Sequence, residues 1–440
     1  MSALRKELYD WRLWTGRGVV MVFAALAGLT VVAFTWMTEH ALTLFFTLEK
    51  SVWWSPLVWT PACTAAIVWA TRRYAPGAAG SGIPQVMAAL TPEAAPAHVS
   101  SLYVSLKLTL AKMVLTASGL LAGLSLGREG PSVQIAAGVM HHARRWLPAN
   151  SAVNAQGLLL AGGAAGIAAA FNTPLGGIMF AIEELSRRPE QRSNGLNLAA
   201  IVFAGLIAVS VYGNSTYFGV IRVENLTMAL LLPGLLVAVS SGLTGGLFAH
   251  LMVVSLSGQS KGWFSQLRRK APVRFAAGCG LAVAVMGVVS HGATFGSGYS
   301  HTRGMLDGHG DSSVFYVLLK FIATWLTAWS GVPGGIFAPS LAIGGALGND
   351  IAQLTAYANA PTLIALGMAG FLAAVTQAPL TSFIIVMEMV DGHGLVLSLM
   401  ASALVASGVS RLISAPLYSS LADQQLHRRP AEVSTSKASS

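Results

Sequence analysis

The sequence predicts an all-α polytopic membrane protein built from two related, inverted repeats in which some helices are broken and tilted. Composition, apolar segments and an internal repeat support this prediction. Hydrophobic residues make up 54% of the 440 residues, charged residues only 10%, and the mean hydropathy is +0.62. A soluble protein of this length would need far more charge to cover its surface, so the composition indicates a membrane protein.

Apolar stretches recur along the chain, and several are long enough to cross a bilayer, which takes about 20 residues. Examples lie at residues 19–37, 102–126 and 228–256. Other stretches are shorter and contain proline near the start of a new apolar run, where proline suits the first helical turn. Half-length helices expose N–H groups that a membrane tolerates only beside protein or a polar cavity, so this pattern predicts a transport site.

The net charge of +10 comes from basic residues clustered in short hydrophilic segments, such as Arg72-Arg73 and Arg268 to Lys270. Clusters of this kind are typical of the cytoplasmic loops of membrane proteins. The positive charge therefore indicates orientation in a lipid bilayer, and we do not expect the protein to bind nucleic acid. The two cysteines, Cys63 and Cys279, lie in apolar surroundings and predict neither a disulfide framework nor a thiolate metal site.

Three blocks of the sequence recur in the same order. Shifts of 208, 205 and 216 residues pair Lys112 with Lys320 and Gly127 with Gly335, Glu183 with Glu388, and Gly80 with Gly296. The blocks predict membrane repeats over residues 18–214 and 215–421, a cytoplasmic amphipathic helix over residues 1–17 and a disordered cytoplasmic tail over residues 422–440. The residues leave the orientation of the halves open, and we expect inversion because it is common in transporters with broken helices.

Three short glycine-bounded loops each open into an apolar segment. Their residues are Gly80, Ser81, Gly82, Ile83 and Pro84; Gly127, Arg128, Glu129, Gly130 and Pro131; and Gly334, Gly335, Ile336, Phe337, Ala338 and Pro339. Helix N-termini offer unpaired N–H groups and partial positive charge to an anion, and glycine lets the backbone approach it. The loops therefore predict an anion site within the membrane. Glu129 is the main functional candidate because an ionisable residue at that depth is costly.

These motifs, read as GSGIP, GREGP and GGIFAP, resemble the filter sequences of the CLC chloride channels and chloride/proton antiporters. The resemblance extends from about residue 18 to Leu421 and includes Lys112, Phe171 to Leu175, and Pro416-Leu417-Tyr418. It implies a CLC-type fold and a homodimer with one pathway in each subunit. The chain ends soon after Tyr418 without the CBS domains of many eukaryotic members, so we expect a multi-pass protein of a bacterial inner membrane.

The resemblance also implies roles for individual residues. The hydroxyls of Ser81 and Tyr418 and the backbone N–H groups of Ile336 and Phe337 would surround a central chloride. Glu129 would be the gate and external proton acceptor, and Glu184 would carry out internal proton transfer. Chloride and protons are then the transported partners, and no cofactor or metal is expected.

Each residue also has a structural interpretation. Ser81 alone is typical of a turn, and Tyr418 of an interfacial aromatic. Glu129 could form an ion pair with Arg128, and Glu184 could be an ordinary carboxylate at a helix end. We interpret Glu183 and Ser297 as structural.

The predicted function is proton-coupled chloride/proton antiport, because passive CLC channels commonly lack a carboxylate at the position of Glu184. A passive voltage- or pH-gated chloride channel is the alternative. Ser81 favours chloride over nitrate, and GREGP with Tyr418 argues against the fluoride-exporting branch. The sequence contains no evident nucleophile and histidine constellation, no metal-ligand cluster within a span and no GxxxxGK loop, so it predicts neither an enzyme nor an ATP-driven pump.

Overall fold

The computed structural model describes residues 11–91, 102–148, 153–186, 195–213, 216–221, 228–258, 260, 262–308 and 314–427. Within these residues the chain forms 18 α-helices, and extended backbone pairs only in one antiparallel bridge between Gly127 and Gly335. The predicted all-helical fold is confirmed.

The helices are numbered in chain order. The first eight are α1 (Trp11–Ser51), α2 (Pro56–Tyr74), α3 (Ile83–Leu90), α4 (Leu106–Leu121), α5 (Glu129–His142), α6 (Ala155–Phe171), α7 (Pro174–Phe180) and α8 (Gly195–Tyr212). The remaining ten are α9 (Leu231–Ser257), α10 (Trp263–Lys270), α11 (Pro272–Val289), α12 (Tyr299–Leu306), α13 (Val314–Ser330), α14 (Phe337–Leu354), α15 (Ala360–Thr376), α16 (Pro379–Met389), α17 (Val396–Arg411) and α18 (Leu417–His427).

Five of the described helical segments are long and apolar enough to cross a membrane. They are Leu13–Ser51, Gly195–Tyr212, Met228–Ser257, Pro272–Val289 and His393–Arg411. Helix α1 has 41 residues and is roughly 60 Å long, about twice the thickness of the hydrocarbon core, so it must tilt or project beyond the bilayer. Shorter apolar helices, including α6, α15 and α16, accompany these spans, as expected for a membrane protein with half-length helices.

Reciprocal contacts relate the two repeats. The carboxylate of Glu183 accepts hydrogen bonds from the N–H groups of Leu380 (3.1 Å) and Thr381 (2.6 Å) at the start of α16. The carboxylate of its repeat partner Glu388 accepts them from Leu175 (3.1 Å) and Gly176 (2.7 Å) at the start of α7. Each carboxylate thus stabilises the positive N-terminus of the other repeat's helix. This exchange agrees with the structural interpretation of Glu183 and with the pairing of Glu183 and Glu388 in the sequence repeat.

Two fully buried lysines repeat the same relation. The Lys112 ammonium group donates to the carbonyls of Ala78 (2.7 Å) and Gly80 (2.6 Å). The Lys320 ammonium group donates to the carbonyls of Thr294 (2.9 Å) and Gly296 (2.8 Å). Both side chains are 0% exposed, and a buried cation needs such acceptors because its desolvation is costly. The lysines therefore fix the backbone of the two glycine-rich turns that precede α3 and α12.

Close helix packing surrounds the loops and depends on glycine. A Cβ atom at Gly166 of α6 would lie 2.7 Å from the carbonyl carbon of Ser132 and 2.8 Å from the Cα atom of Val133, both in α5. These are backbone atoms, which cannot move aside as the end of a flexible side chain can. The approach of α6 to α5 thus requires a residue without a side chain.

Replacing Gly166 with alanine is expected to lower the free energy of unfolding by about 1 to 3 kcal/mol, because the added methyl group overpacks this contact. Gly278→Ala in α11 is the matched control, since a Cβ atom there meets nothing within 4 Å. Alanine favours helix by up to about 1 kcal/mol over glycine, so this control should be neutral or stabilising. Thermal unfolding in detergent measures both, and equal midpoints would contradict the packing argument.

The structure also bears on the expected boundaries. Helix α18 continues to His427, and Ala422 is only 2% exposed. The predicted start of the tail at residue 422 is therefore too early, because apolar contacts keep the chain helical beyond Leu421. Residues 428–440 lie outside the described residues. The expected surface helix over residues 1–17 is described only from Trp11, where it is continuous with α1. The junction of the repeats at residues 214 and 215 also lies outside the described residues.

Candidate functional site

The three glycine-rich loops predicted from the sequence meet at one place. The N–H groups of Gly127 and Gly335 each donate to the other residue's carbonyl at 2.8 Å, and the N–H group of Gly334 donates to the Gly80 carbonyl at 3.1 Å. A Cβ atom at Gly130 would collide with the Ser81 hydroxyl. Because these residues approach with no side chain between them, all three loops enclose one small region.

Three helices begin at these loops. Helix α3 begins at Ile83, α5 at Glu129 and α14 at Phe337. The first N–H groups of a helix have no acceptor within that helix and carry partial positive charge. Gly82, which precedes α3, has a φ of 108°, a left-handed conformation that glycine adopts readily. The loops therefore bring helix N-termini together in a buried region, which suits an anion.

Two hydroxyl groups lie beside these N-termini. Tyr418 is 1% exposed, its ring centroid is 5.8 Å from that of Phe337, and its hydroxyl lies close to that of Ser81. Both hydroxyl oxygens are buried, and neither forms a hydrogen bond of normal geometry with a described residue, although the two hydroxyls interact with each other. An unsatisfied buried polar group costs about 1 to 3 kcal/mol. Each hydroxyl can both donate and accept, so the pair keeps hydrogen-bonding capacity for a polar ligand beside the start of α14.

The fold thus brings together three segments that lie far apart in the sequence. They contribute Ser81, the pair Ile336 and Phe337, and Tyr418. Ile336 and Phe337 are both buried and lie at the first turn of α14. The groups on offer are hydroxyls and backbone N–H groups. Among the residues that the structure describes, no group of three or more His, Cys, Asp or Glu side chains could hold a metal ion. The chemistry of the site therefore suits a small anion.

Glu129 is fully buried at the first turn of α5. Its carboxylate lies against Gly127, where a Cβ atom would collide with Oε2, and near the N–H groups of Arg128, Glu129 and Ala338. Neither carboxylate oxygen forms a hydrogen bond of normal geometry within the described residues. The side chain therefore places its own negative group between the starts of α5 and α14, in a position that a mobile anion could also occupy.

A cavity of about 1240 Å³ reaches Glu129 from one side. Its lining includes Glu39, Arg128, Asn172 and Ser297, whereas Ser81 and Tyr418 do not line it. Glu129 thus lies between the open cavity and the two buried hydroxyls. Ser297, the repeat counterpart of Ser81, accepts a hydrogen bond from the Tyr299 N–H group at 3.4 Å, a local contact that supports its structural interpretation.

Glu184 lies in a π-helical turn, Ala181–Leu185, that follows α7. Such turns widen a helix locally and are frequent at functional sites. Glu184 is 8% exposed, and the Tyr418 hydroxyl is within electrostatic range of both Glu184 and Glu129. The neighbouring Glu183 points to α16 instead, so the two adjacent carboxylates occupy different surroundings.

Glu39 also belongs to the site, although the sequence motifs do not predict it. This residue lies in α1, and its carboxylate accepts a hydrogen bond from the Arg128 guanidinium at 2.8 Å. The guanidinium also lies 5.9 Å from the ring centroid of Tyr217. Glu39 follows a long apolar stretch in the sequence. A charged residue in such a stretch is costly in a membrane, and this cost could have identified Glu39 as a functional candidate.

Comparisons with known proteins identify the family of this chain. A family model described as "Voltage gated chloride channel" matches residues 63–411. The H(+)/Cl(-) exchange transporter ClcA of Citrobacter koseri is 32% identical over 436 residues, covering 93% of this chain and 89% of the relative. ClcA of Salmonella agona is 31% identical with the same coverage.

Two solved structures share the fold. A slow cyanobacterial Cl−/H+ antiporter aligns with a TM-score of 0.77 and 24% identity, covering 95% of this chain and 99% of the other. A CLC-type fluoride/proton antiporter aligns with a TM-score of 0.76 and 23% identity, covering 92% and 96%. With the family match spanning most of the chain and relatives above 30% identity, this chain is a multi-pass membrane protein that belongs to the voltage-gated chloride channel (CLC) family.

Proposed function

We propose that the protein exchanges chloride for protons across a bacterial inner membrane. The observation that carries this proposal is the juxtaposition of a buried carboxylate, Glu129, with two buried hydroxyls and helix N-termini. An anion site next to an ionisable side chain couples the two ions, because chloride and the deprotonated carboxylate compete for the same positive surroundings. The relatives named as H(+)/Cl(-) exchange transporters support exchange over passive conduction.

In this proposal Ser81, Tyr418 and the N–H groups of Ile336 and Phe337 bind the central chloride. Partial charges suit turnover, because a full positive charge would hold the ion too tightly. Glu129 blocks the path when it is deprotonated. When protonated it loses its attraction to the helix N-termini and swings towards the cavity, which admits chloride and carries a proton.

Glu184 is proposed to exchange protons with the other side of the membrane. Its position near Tyr418 but outside the cavity that reaches Glu129 supports this role. Since passive CLC channels commonly lack a carboxylate there, Glu184 favours the antiporter over the voltage- or pH-gated channel. The fold is shared with a fluoride/proton antiporter as well, and the GREGP loop with Tyr418 favours chloride as the substrate. We further propose a homodimer with one pathway in each subunit.

The direction of proton movement tests the proposal. Purified protein is placed in chloride-loaded liposomes, an outward chloride gradient is imposed at equal pH, and the external pH is recorded. Chloride leaving through a channel makes the interior positive, so passive protons would move outwards. An antiporter instead takes protons up, and the external medium becomes alkaline.

Two controls complete the test. A protonophore should reverse the proton movement, because protons then follow the voltage. Protein-free liposomes give the background. Chloride efflux with no proton uptake would overturn the antiporter and indicate a channel.

A further inference from the structure

The charged groups at the mouth of the site form a compact arrangement. Arg128 precedes α5 directly and its side chain is only 12% exposed, whereas the Glu39 side chain is 54% exposed. The two are joined by the 2.8 Å contact between Nη1 and Oε1, and both line the cavity. Glu39 is thus reached by solution in the cavity while it holds a guanidinium that is almost buried.

Arg128 is within electrostatic range of Glu129 as well as Glu39. One cation therefore interacts with two carboxylates, and each carboxylate weakens the attraction that remains for the other. A deprotonated Glu129 is favoured by the Arg128 charge and disfavoured by the Glu39 charge. Glu39 consequently opposes the electrostatic attraction that keeps Glu129 ionised in the path.

We propose that Glu39 is a positioning residue that sets the pH at which the Glu129 gate opens, an inference that rests on the proposed function. It does so by fixing the Arg128 guanidinium and neutralising part of its charge. The negative charge of Glu39 reduces the positive potential that Arg128 exerts on Glu129, so the gate opens at a pH closer to neutrality.

The other groups around Arg128 do not substitute for Glu39. The tyrosines that face this cluster are Tyr212 of α8, Tyr217, Tyr299 of α12 and, beside Glu129, Tyr418. The other charged or titratable residues that line the cavity are Glu49, Lys50, His291, His301, Arg303 and Asp391. The carboxylates that act on Arg128 are those of Glu39 and Glu129. Arg303 and Lys50 are basic and therefore cannot replace the negative charge of Glu39. Within the described residues Glu39 is therefore the acidic side chain, besides Glu129 itself, that contacts or approaches Arg128.

The test measures chloride-driven proton uptake in liposomes as a function of external pH. Glu39→Gln keeps the shape of the side chain and removes the charge, so the pH of half-maximal transport should move by about 0.5 unit to lower pH, the size expected for a partly exposed ion pair. Glu39→Asp retains the charge but shortens the reach, and should give a smaller shift in the same direction.

Glu49→Gln is the matched control. Glu49 lies on α1 and lines the same cavity, but it is ten residues and hence about 15 Å further along the helix. It removes the same charge from the cavity, and its transport midpoint should equal that of the unmodified protein.

Four results would overturn the inference. Equal shifts in Glu39→Gln and Glu49→Gln would mean that the net charge of the cavity, and not the contact with Arg128, sets the midpoint. A lower rate at an unchanged midpoint would mean a structural role only, and unchanged transport would mean no role. If Glu39→Gln gave no folded protein, an unshifted midpoint in Glu39→Asp would decide against the inference. Absence of proton uptake in the unmodified protein would instead overturn the proposed function, so the two failures are distinguishable.

Discussion

Chloride-driven proton uptake should fall to the background of protein-free liposomes when Glu129 is replaced by glutamine, while chloride efflux continues. Glutamine has nearly the same shape but cannot ionise, so it no longer competes with chloride between the starts of α5 and α14. Efflux should also lose its dependence on pH through the range in which carboxyl groups titrate, about pH 4 to 7. Parallel recordings of external chloride and external pH measure both effects.

Glu49→Gln serves as the control for this substitution too, because it removes a carboxylate from the same cavity without touching the loops. It should keep both fluxes. Proton uptake that persisted in Glu129→Gln would show that another group accepts the external proton. Loss of both fluxes together would show that Glu129 is needed to hold the pathway in shape and would contradict its role as a gate.

Much of the site could be predicted from the sequence because its parts are local backbone features. Glycine and proline at fixed positions in three loops specify tight turns followed by helix starts, and those are short-range consequences of steric restriction. The internal repeat was informative as well. It pairs Lys112 with Lys320, and both lysines donate hydrogen bonds to carbonyl groups of equivalent turns. Helix starts and symmetry-related pairs are therefore readable from residues alone.

Contacts between distant segments could not be predicted in the same way. Glu39 and Arg128 are 89 positions apart, and nothing in the residues around either one specifies the other. The reciprocal contacts of Glu183 and Glu388 depend on the two-fold arrangement of the repeats, which the residues left open. The end of α18 was also misplaced, because polar residues after Leu421 suggested a tail while Ala422 packs into the core. Tertiary packing decided each of these features.

Buried charge is the common physical feature of this protein. Lys112, Lys320 and Glu129 are all fully buried, and each must be matched by polar groups because desolvation of a charge is expensive. The lysines are satisfied by carbonyl groups and have a structural role. Glu129 has no hydrogen bond of normal geometry within the described residues. The Glu129 carboxylate lies instead near the N–H groups of Arg128, Glu129 and Ala338, and this looser arrangement supports the proposal that its charge state changes during transport.

Substitutions of the adjacent residues Glu183 and Glu184 distinguish a structural carboxylate from one that transfers protons. Glu184→Gln is expected to reduce chloride-driven proton uptake to background while chloride efflux continues, because the inner proton acceptor is lost and the chloride site is intact. Glu183→Gln should leave the ratio of protons to chloride unchanged. It should instead lower the free energy of unfolding by about 1 to 3 kcal/mol, since charge-assisted hydrogen bonds to the start of α16 are weakened.

The same liposome recordings and thermal unfolding in detergent, applied to both variants, give a two-by-two comparison. Normal coupling in Glu184→Gln would remove this residue from the proton path and leave it as a helix-end carboxylate. Loss of coupling in Glu183→Gln with normal stability would reverse the two assignments. We expect the two variants to differ because the π-helical turn at Ala181–Leu185 holds two neighbouring carboxylates in different surroundings. The Glu183 carboxylate is bound to the start of α16, and Glu184 lies near the Tyr418 hydroxyl.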